Sequence, residues 1–332
     1  MTTGTVTKQR LALAGALLGA TVLAAGAAQA QDAHIAFGDI ATVETLNLLI
    51  AIERARERGL DIEVTFFNSE DIAAQAVVSG EADIGVGTPY ALLQQVEAPI
   101  RMFLQMSNLR FYPVVNTELY QDWADLDGQE IVVHSRGSGT EAIMNLMAMQ
   151  HGIEYSAMSY VPGSEVRAGA MLQGTINATI VDSANWRLLE REGGGRFALL
   201  PMGDISATDE ALYANTDFLE ENHDAAVVLV EEVLKTWRDI ADNPAVVAEL
   251  RQQYGLLPDL PPELEEEMVP YYQESVDAGV FPLNGGGPEA VQDDFAFYTV
   301  AGQLEGEAAD LKVEDFWTFG PLEAALANVG RR

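Results

Sequence analysis

The chain contains no cysteine among its 332 residues. That excludes disulfides, thiolate metal sites and anchoring through a lipidated N-terminal cysteine. Lysine is nearly as scarce: Lys8, Lys235 and Lys312 are the full set. Lys and Arg together number 18 against 51 Asp and Glu, a formal charge of −33. A surface of that sign repels nucleic acid and anionic lipid, so neither is expected as a partner. The four histidines (His34, His134, His151 and His223) lack metal-ligand spacing, and no H-E-x-x-H occurs. Ser138 lies outside any G-x-S-x-G elbow. No catalytic group, metal or cofactor is expected, and the chain reads as a non-enzyme.

Beyond residue 30 no segment is long and apolar enough to span a bilayer. Before it, Lys8 and Arg10 precede an apolar run from Leu11 to Ala28, which closes on Ala28-Gln29-Ala30. This is the pattern of a secretory signal peptide cleaved near Ala30. Losing its two basic residues takes the net charge from −33 to −35. An exported chain with no lipid anchor fits a Gram-negative periplasm. The 48% hydrophobic content suffices for two modest cores.

What is present is a repeated unit. In Gly80-Glu-Ala-Asp-Ile-Gly-Val-Gly-Thr-Pro-Tyr90 a glycine ends a helix, a short strand follows, and Thr88-Pro89 starts the next helix. Gly174-Thr-Ile-Asn-Ala-Thr-Ile-Val-Asp182 repeats that grammar, with Asp182 at the offset of Thr88 and Asn177 at that of Asp83. Stop, strand and cap agree, so the sequence predicts an α/β protein of two similar lobes facing a shared cleft. Residues 31–115 and 204–332 are expected to form the first lobe and residues 116–203 the second. The chain returns to the first lobe through Ala211–Ala214 and ends in a mainly helical tail.

Four segments in order resemble one family. They are Glu57-Arg-Gly-Leu-Asp-Ile-Glu-Val64, Val78-Ser-Gly-Glu-Ala-Asp-Ile-Gly-Val-Gly87, Asp125-Leu-Asp-Gly-Gln-Glu-Ile-Val-Val133 and Leu172-Gln-Gly-Thr-Ile-Asn-Ala-Thr-Ile-Val-Asp182. They resemble the nitrate/sulfonate/taurine-type substrate-binding proteins of ABC importers, a group that includes binders of thiamine pyrimidine precursors. Gln129 and Glu130 stand where lysines are usual, and Asn177 where aspartate is frequent. The resemblance implies a two-lobed, type II periplasmic-binding fold hinged on two crossing segments. It also implies a monomer that delivers one small molecule to a permease and, through it, an ATPase.

The sharpest candidate site is His134-Ser-Arg-Gly-Ser-Gly-Thr140, a strand–helix turn. Backbone N–H groups at Gly137 and Gly139, the Ser138 and Thr140 hydroxyls and the Arg136 guanidinium suit a sulfonate, nitrate or carboxylate. The first lobe adds Gly38, Asp39 and Thr42 after its first strand, Asn68 and Ser69 after its second, and Thr88. Phe111 and Tyr112 could wall the pocket or belong to strand core. Asp182 reads first as a helix cap; were it to face the cleft, it would repel an anion and favour a ligand bearing an amino group, such as taurine. Thr88→Ala and Ser138→Ala are expected to weaken binding without altering ligand-free melting. The rival of another class is an exported NAD-dependent enzyme using Gly137-x-Gly139-x-x-Ala142 as a dinucleotide turn.

Overall fold

The computed structural model describes Met1 and residues 32–332, so the signal-peptide segment expected at residues 1–30 lies almost wholly outside the described residues. The first sheet collects β1 (Asp32–Phe37), β2 (Asp61–Phe66), β3 (Ile84–Gly87), β4 (Ile100–Gln105) and, from far down the chain, a strand at Ala211–Asn215. The second collects β5 (Tyr112–Asn116), β6 (Glu130–Val133), β7 (Ala157–Tyr160), β8 (Ala178–Val181) and β9 (Phe197–Leu199). With the returning strand numbered β10, the orders are β2-β1-β3-β10-β4 and β7-β6-β8-β5-β9. The two orders superimpose. In each, three parallel strands are followed by an antiparallel one, β10 or β5. That antiparallel strand is the first one after the chain has changed sheets.

This corrects the expected boundary. Tyr112–Asn116 pairs with β8 and β9, so it belongs to the second sheet, and the chain leaves the first lobe before Phe111 rather than after residue 115. The outgoing and returning segments run side by side. Met106 N–H donates to the Glu210 carbonyl (2.7 Å), Leu109 N–H to Ala207 (2.9 Å) and Asp209 N–H to Ser107 (2.9 Å). The two crossings are therefore one paired hinge ribbon.

Helices cover the sheets: α1 (Leu46–Glu57), α2 (Glu70–Ser79) and α3 (Tyr90–Val96) on the first, then α4 (Gly139–His151), α5 (Ser164–Leu172) and α6 (Ser183–Glu192) on the second. Gly80 and Gly174 adopt φ of 77° and 74°, the left-handed stops read from the repeat. The tail consists of α7 (Thr216–Glu221), α8 (His223–Asp242), α9 (Val246–Tyr254), α10 (Pro262–Asp277), α11 (Pro288–Val300), α12 (Val313–Phe316) and α13 (Gly320–Val329). It buttresses the first lobe. Trp237 on α8 is fully buried, and its indole N–H donates to Asn47 Oδ1 on α1 (2.9 Å). Among the described residues no helix is long and apolar enough to cross a membrane.

Candidate functional site

The carboxyl ends of β1, β3 and β6 meet between the lobes, where ligands bind in open α/β sheets. A narrow cavity of about 30 Å³ lies there. Gly38 and Asp39 after β1, Glu44 before α1, Glu70 at the start of α2 and Val86 on β3 line it from the first lobe. His134, Ser138, Gly139 and Thr140 after β6, with Ser164 and Arg167 of α5, line it from the second. Phe111, Asp209 and Glu210, all on or beside the hinge ribbon, complete the wall.

Glycine is required where the lobes close. A Cβ on Gly38 would stand 2.4 Å from Glu70 Cα, so only glycine lets α2 begin against the end of β1. A Cβ on Gly139 would meet Leu109 Cδ2 at 2.3 Å and Asp209 Oδ1 at 2.9 Å. The α4 start is thus pressed onto the hinge. The His134 ring crosses the cleft. The Gly38 carbonyl can only accept, so His134 Nε2 carries the proton and donates to it (3.0 Å).

The cavity is acidic. Five carboxyl groups line it, and desolvation raises the pKa of each. Glu70 is pushed to about 8 by burial and then by the Glu210 charge, against the Thr88 N–H that its carboxylate accepts. Glu210 reaches about 7, while Glu44 and Asp209 rise well above the usual range. Burial depresses His134 despite Asp39 Oδ2 at 3.7 Å from its Nδ1, so the ring is neutral near pH 7. The resident cation is Arg167, 1% exposed, and it is spoken for by its own lobe. Its Nε donates to the Ile180 carbonyl (3.1 Å), Nη1 to Val161 (2.7 Å) and Nη2 to Ser164 Oγ (3.0 Å).

The residues expected from sequence divide. Gly38, Asp39, Phe111, Ser138, Gly139 and Thr140 line the cavity. Thr88, Arg136 and Gly137 line an adjoining chamber instead. Thr42, Asn68, Ser69, Tyr112 and Asp182 line neither. Thr42 Oγ1 accepts from Glu44 N–H (3.2 Å) in a local turn. Asn68 is exposed, and Ser69 precedes α2 without a side-chain cap bond. Tyr112 donates its hydroxyl to Glu274 Oε1 (2.9 Å). Asp182 caps α6, accepting from Asn185 N–H and Nδ2 (both 2.9 Å).

Three expected donors are already used. Thr88 is not a helix cap: Pro89 precedes α3, and the Thr88 hydroxyl turns to the Asp209 carbonyl (3.3 Å). Gly137 N–H donates to Glu141 Oε2 (2.6 Å). Ser138 Oγ donates to the Ser135 carbonyl (2.8 Å) and caps Glu141 N–H (3.3 Å). The turn's polar groups thus serve the fold. Ser138→Ala is expected to lower ligand-free stability by about 1–2 kcal/mol, as loss of a cap does. Chemical denaturation measures it, and an unchanged midpoint would restore the ligand-only role. The NAD reading fares no better. Gly139 faces the Asp209 carboxylate and the hinge, where a pyrophosphate would need open space and positive charge.

Sequence reasoning missed Glu44, Glu70, Ser164, Arg167, Asp209 and Glu210 as cavity residues, and it named His134 only as the first residue of the candidate turn. The repeat held a signal for two of them: α5 follows β7 as α2 follows β2, so Ser164 and Arg167 open the second lobe's counterpart of the Ser69–Glu70 helix start.

Known proteins place this architecture. None of the curated proteins matches the sequence. Among solved structures, a protein of Bordetella bronchiseptica RB50 superimposes with a TM-score of 0.73 at 21% identity, covering 90% of this chain and 98% of that one. The periplasmic nitrate-binding protein NrtA of Synechocystis PCC 6803 gives 0.66 at 15% identity, covering 91% and 90%. The alkanesulfonate-binding protein SsuA of Xanthomonas axonopodis pv. citri, bound to MOPS, gives 0.63 at 16% identity, covering 84% and 96%. The fold is the two-lobed periplasmic-binding one. Residues 47–246, more than half of the sequence, match the family described as NMT1/THI5 like, and the chain belongs to that family.

Proposed function

We propose that this protein is the solute-binding component of an ABC import system, working as a monomer in the periplasm. It captures one small molecule between its lobes and presents it to the permease, whose ATPase partner drives uptake. One observation carries this reading: the cavity is built half from each lobe, and the hinge ribbon itself contributes Phe111, Asp209 and Glu210 to its wall. A ligand touching those residues interacts with both lobes and with the hinge, so it binds the closed form more tightly than the open one. NrtA and SsuA, which bind nitrate and alkanesulfonate by their names, share the fold at identities too low to carry a ligand over.

Closure is directly measurable because the chain has no cysteine to remove. Glu81→Cys and Gln150→Cys, exposed positions in the first and second lobes, accept one spin label each. A bound solute is expected to narrow the label-to-label distance distribution. A distribution unmoved by any solute that binds would overturn the reading.

A further inference from the structure

We propose that the cleft takes a small organic cation, its ammonium or amidinium group paired with Glu70 and its hydrocarbon body lodged in the chamber between α2 and α3. This rests on the solute-binding reading and departs from the anionic ligand that the turn residues suggested.

The chamber adjoins the central cavity, and Glu70 lines both. Its volume is about 220 Å³. An apolar cavity of about 150 Å³ accepts benzene, so there is room for an aromatic ring and a short chain. Ala74 of α2, with Pro89, Ala91 and Leu92 at and in α3, supplies apolar wall. One polar group of the chamber wall lacks a hydrogen-bond partner among the described residues. Tyr213 on β10 is 1% exposed and its hydroxyl has no hydrogen-bond partner. Its position is built: the ring lies across Gly85, where a Cβ would sit 2.0 Å from Tyr213 Cζ. A buried hydroxyl left unpaired is destabilising, and a ligand N–H donating to it would recover that loss.

Charge selects the ligand's sign. The groups around Glu70 are Asp39 beyond β1, Asp71 on its own helix, Asp209 and Glu210 before β10, the Tyr213 and Tyr298 hydroxyls, and His134 with Nε2 at 3.8 Å. Arg136 shares the chamber wall, but its guanidinium lies over the Tyr160 ring, 5.1 Å from the centroid. The N–H groups that an anion would need at Thr88 and Gly137 already serve Glu70 and Glu141. A cation lets Glu70 ionise where burial otherwise keeps it protonated, so binding releases a proton. Among the described residues no group of three His, Asp or Glu is placed to hold a metal ion, which favours an organic cation.

The test is calorimetric titration with probes of one shape and different charge: phenethylamine, phenylalanine and 3-phenylpropionate, beside butylamine, nitrate and pentanesulfonate. Phenethylamine is expected to bind at least tenfold tighter than 3-phenylpropionate and to tighten from pH 6 to pH 8. Titrations in buffers of different ionisation enthalpy are expected to show proton release. Glu70→Gln, which keeps the shape, should weaken the amine at least tenfold while raising ligand-free melting, and Tyr213→Phe about fivefold. Phenylalanine matching phenethylamine upholds the ammonium site and adds a carboxylate contact. Nitrate, sulfonate or 3-phenylpropionate binding in preference overturns the cation and leaves solute capture standing. Silence from every probe overturns the cation site, and solute capture is then judged by the label-to-label distances alone.

Discussion

Ligand-free protein is expected to melt about 5–10 °C lower at pH 8 than at pH 5. The carboxyl groups of the cleft decide the sign. Asp39, Glu44, Glu70, Asp209 and Glu210 all titrate higher in the fold than in the unfolded chain, with burial the largest cause for each. Between pH 4.5 and pH 8 the folded state therefore holds more protons than the unfolded one, and stability falls as pH rises. Glu70, moved from 4.5 to about 8, alone accounts for on the order of 4 kcal/mol, and the cluster is not additive. Asp294, held to about 6 by burial beneath α3, adds a smaller effect of the same sign. His134 works in the opposite direction below pH 6.5, because its buried ring resists protonation. Carboxylates paired with arginine, such as Glu231 with Arg58 (2.6 Å), oppose further acidification, so the optimum falls near pH 5. Thermal melts across pH 4–9 measure this. Glu70→Gln should flatten the limb between pH 6 and pH 8, and a profile flat or rising across that limb would refute the buried cluster.

The same carboxylates show why the fold was more legible than the site. Helix stops, buried strands and the offset between Gly80 and Gly174 are local, and they carried both lobes. The sheet that a strand joins is not local. Pro113-Val-Val115 reads as buried strand in either lobe, and only pairing with residues 178–181 and 197–199 assigns it. Glu44 and Glu70 at helix starts look like ordinary surface charges favoured by the helix dipole. They become cavity walls only because a second lobe and the hinge close over them. In the turn after β6 the local pattern serves two ends at once, since Ser138 and Gly137 line the cavity and the adjoining chamber and also satisfy the start of α4. The acidity expected to repel nucleic acid was read as a surface property, whereas five of its members were assembled at the centre of the molecule.

Arg167→Met is expected to destabilise the ligand-free protein by about 3–5 kcal/mol, the range for removing one member of a buried charged network. The guanidinium joins three pieces of the second lobe: β8 through the Ile180 carbonyl, the exit of β7 through Val161, and its own helix through Ser164 Oγ. Methionine fills the volume but donates nothing, so two backbone carbonyls lose a buried partner. It also removes the positive charge that Asp39, Asp182, Glu165 and Glu44 feel, so the loss should be larger at pH 8 than at pH 5. Arg167→Lys restores the charge without the planar fork and is expected to recover only part of the stability. Denaturant unfolding of the three proteins at both pH values tests the assignment. Were Arg167 held in place for a ligand alone, Arg167→Met would unfold at the same denaturant concentration as the parent and differ only in binding.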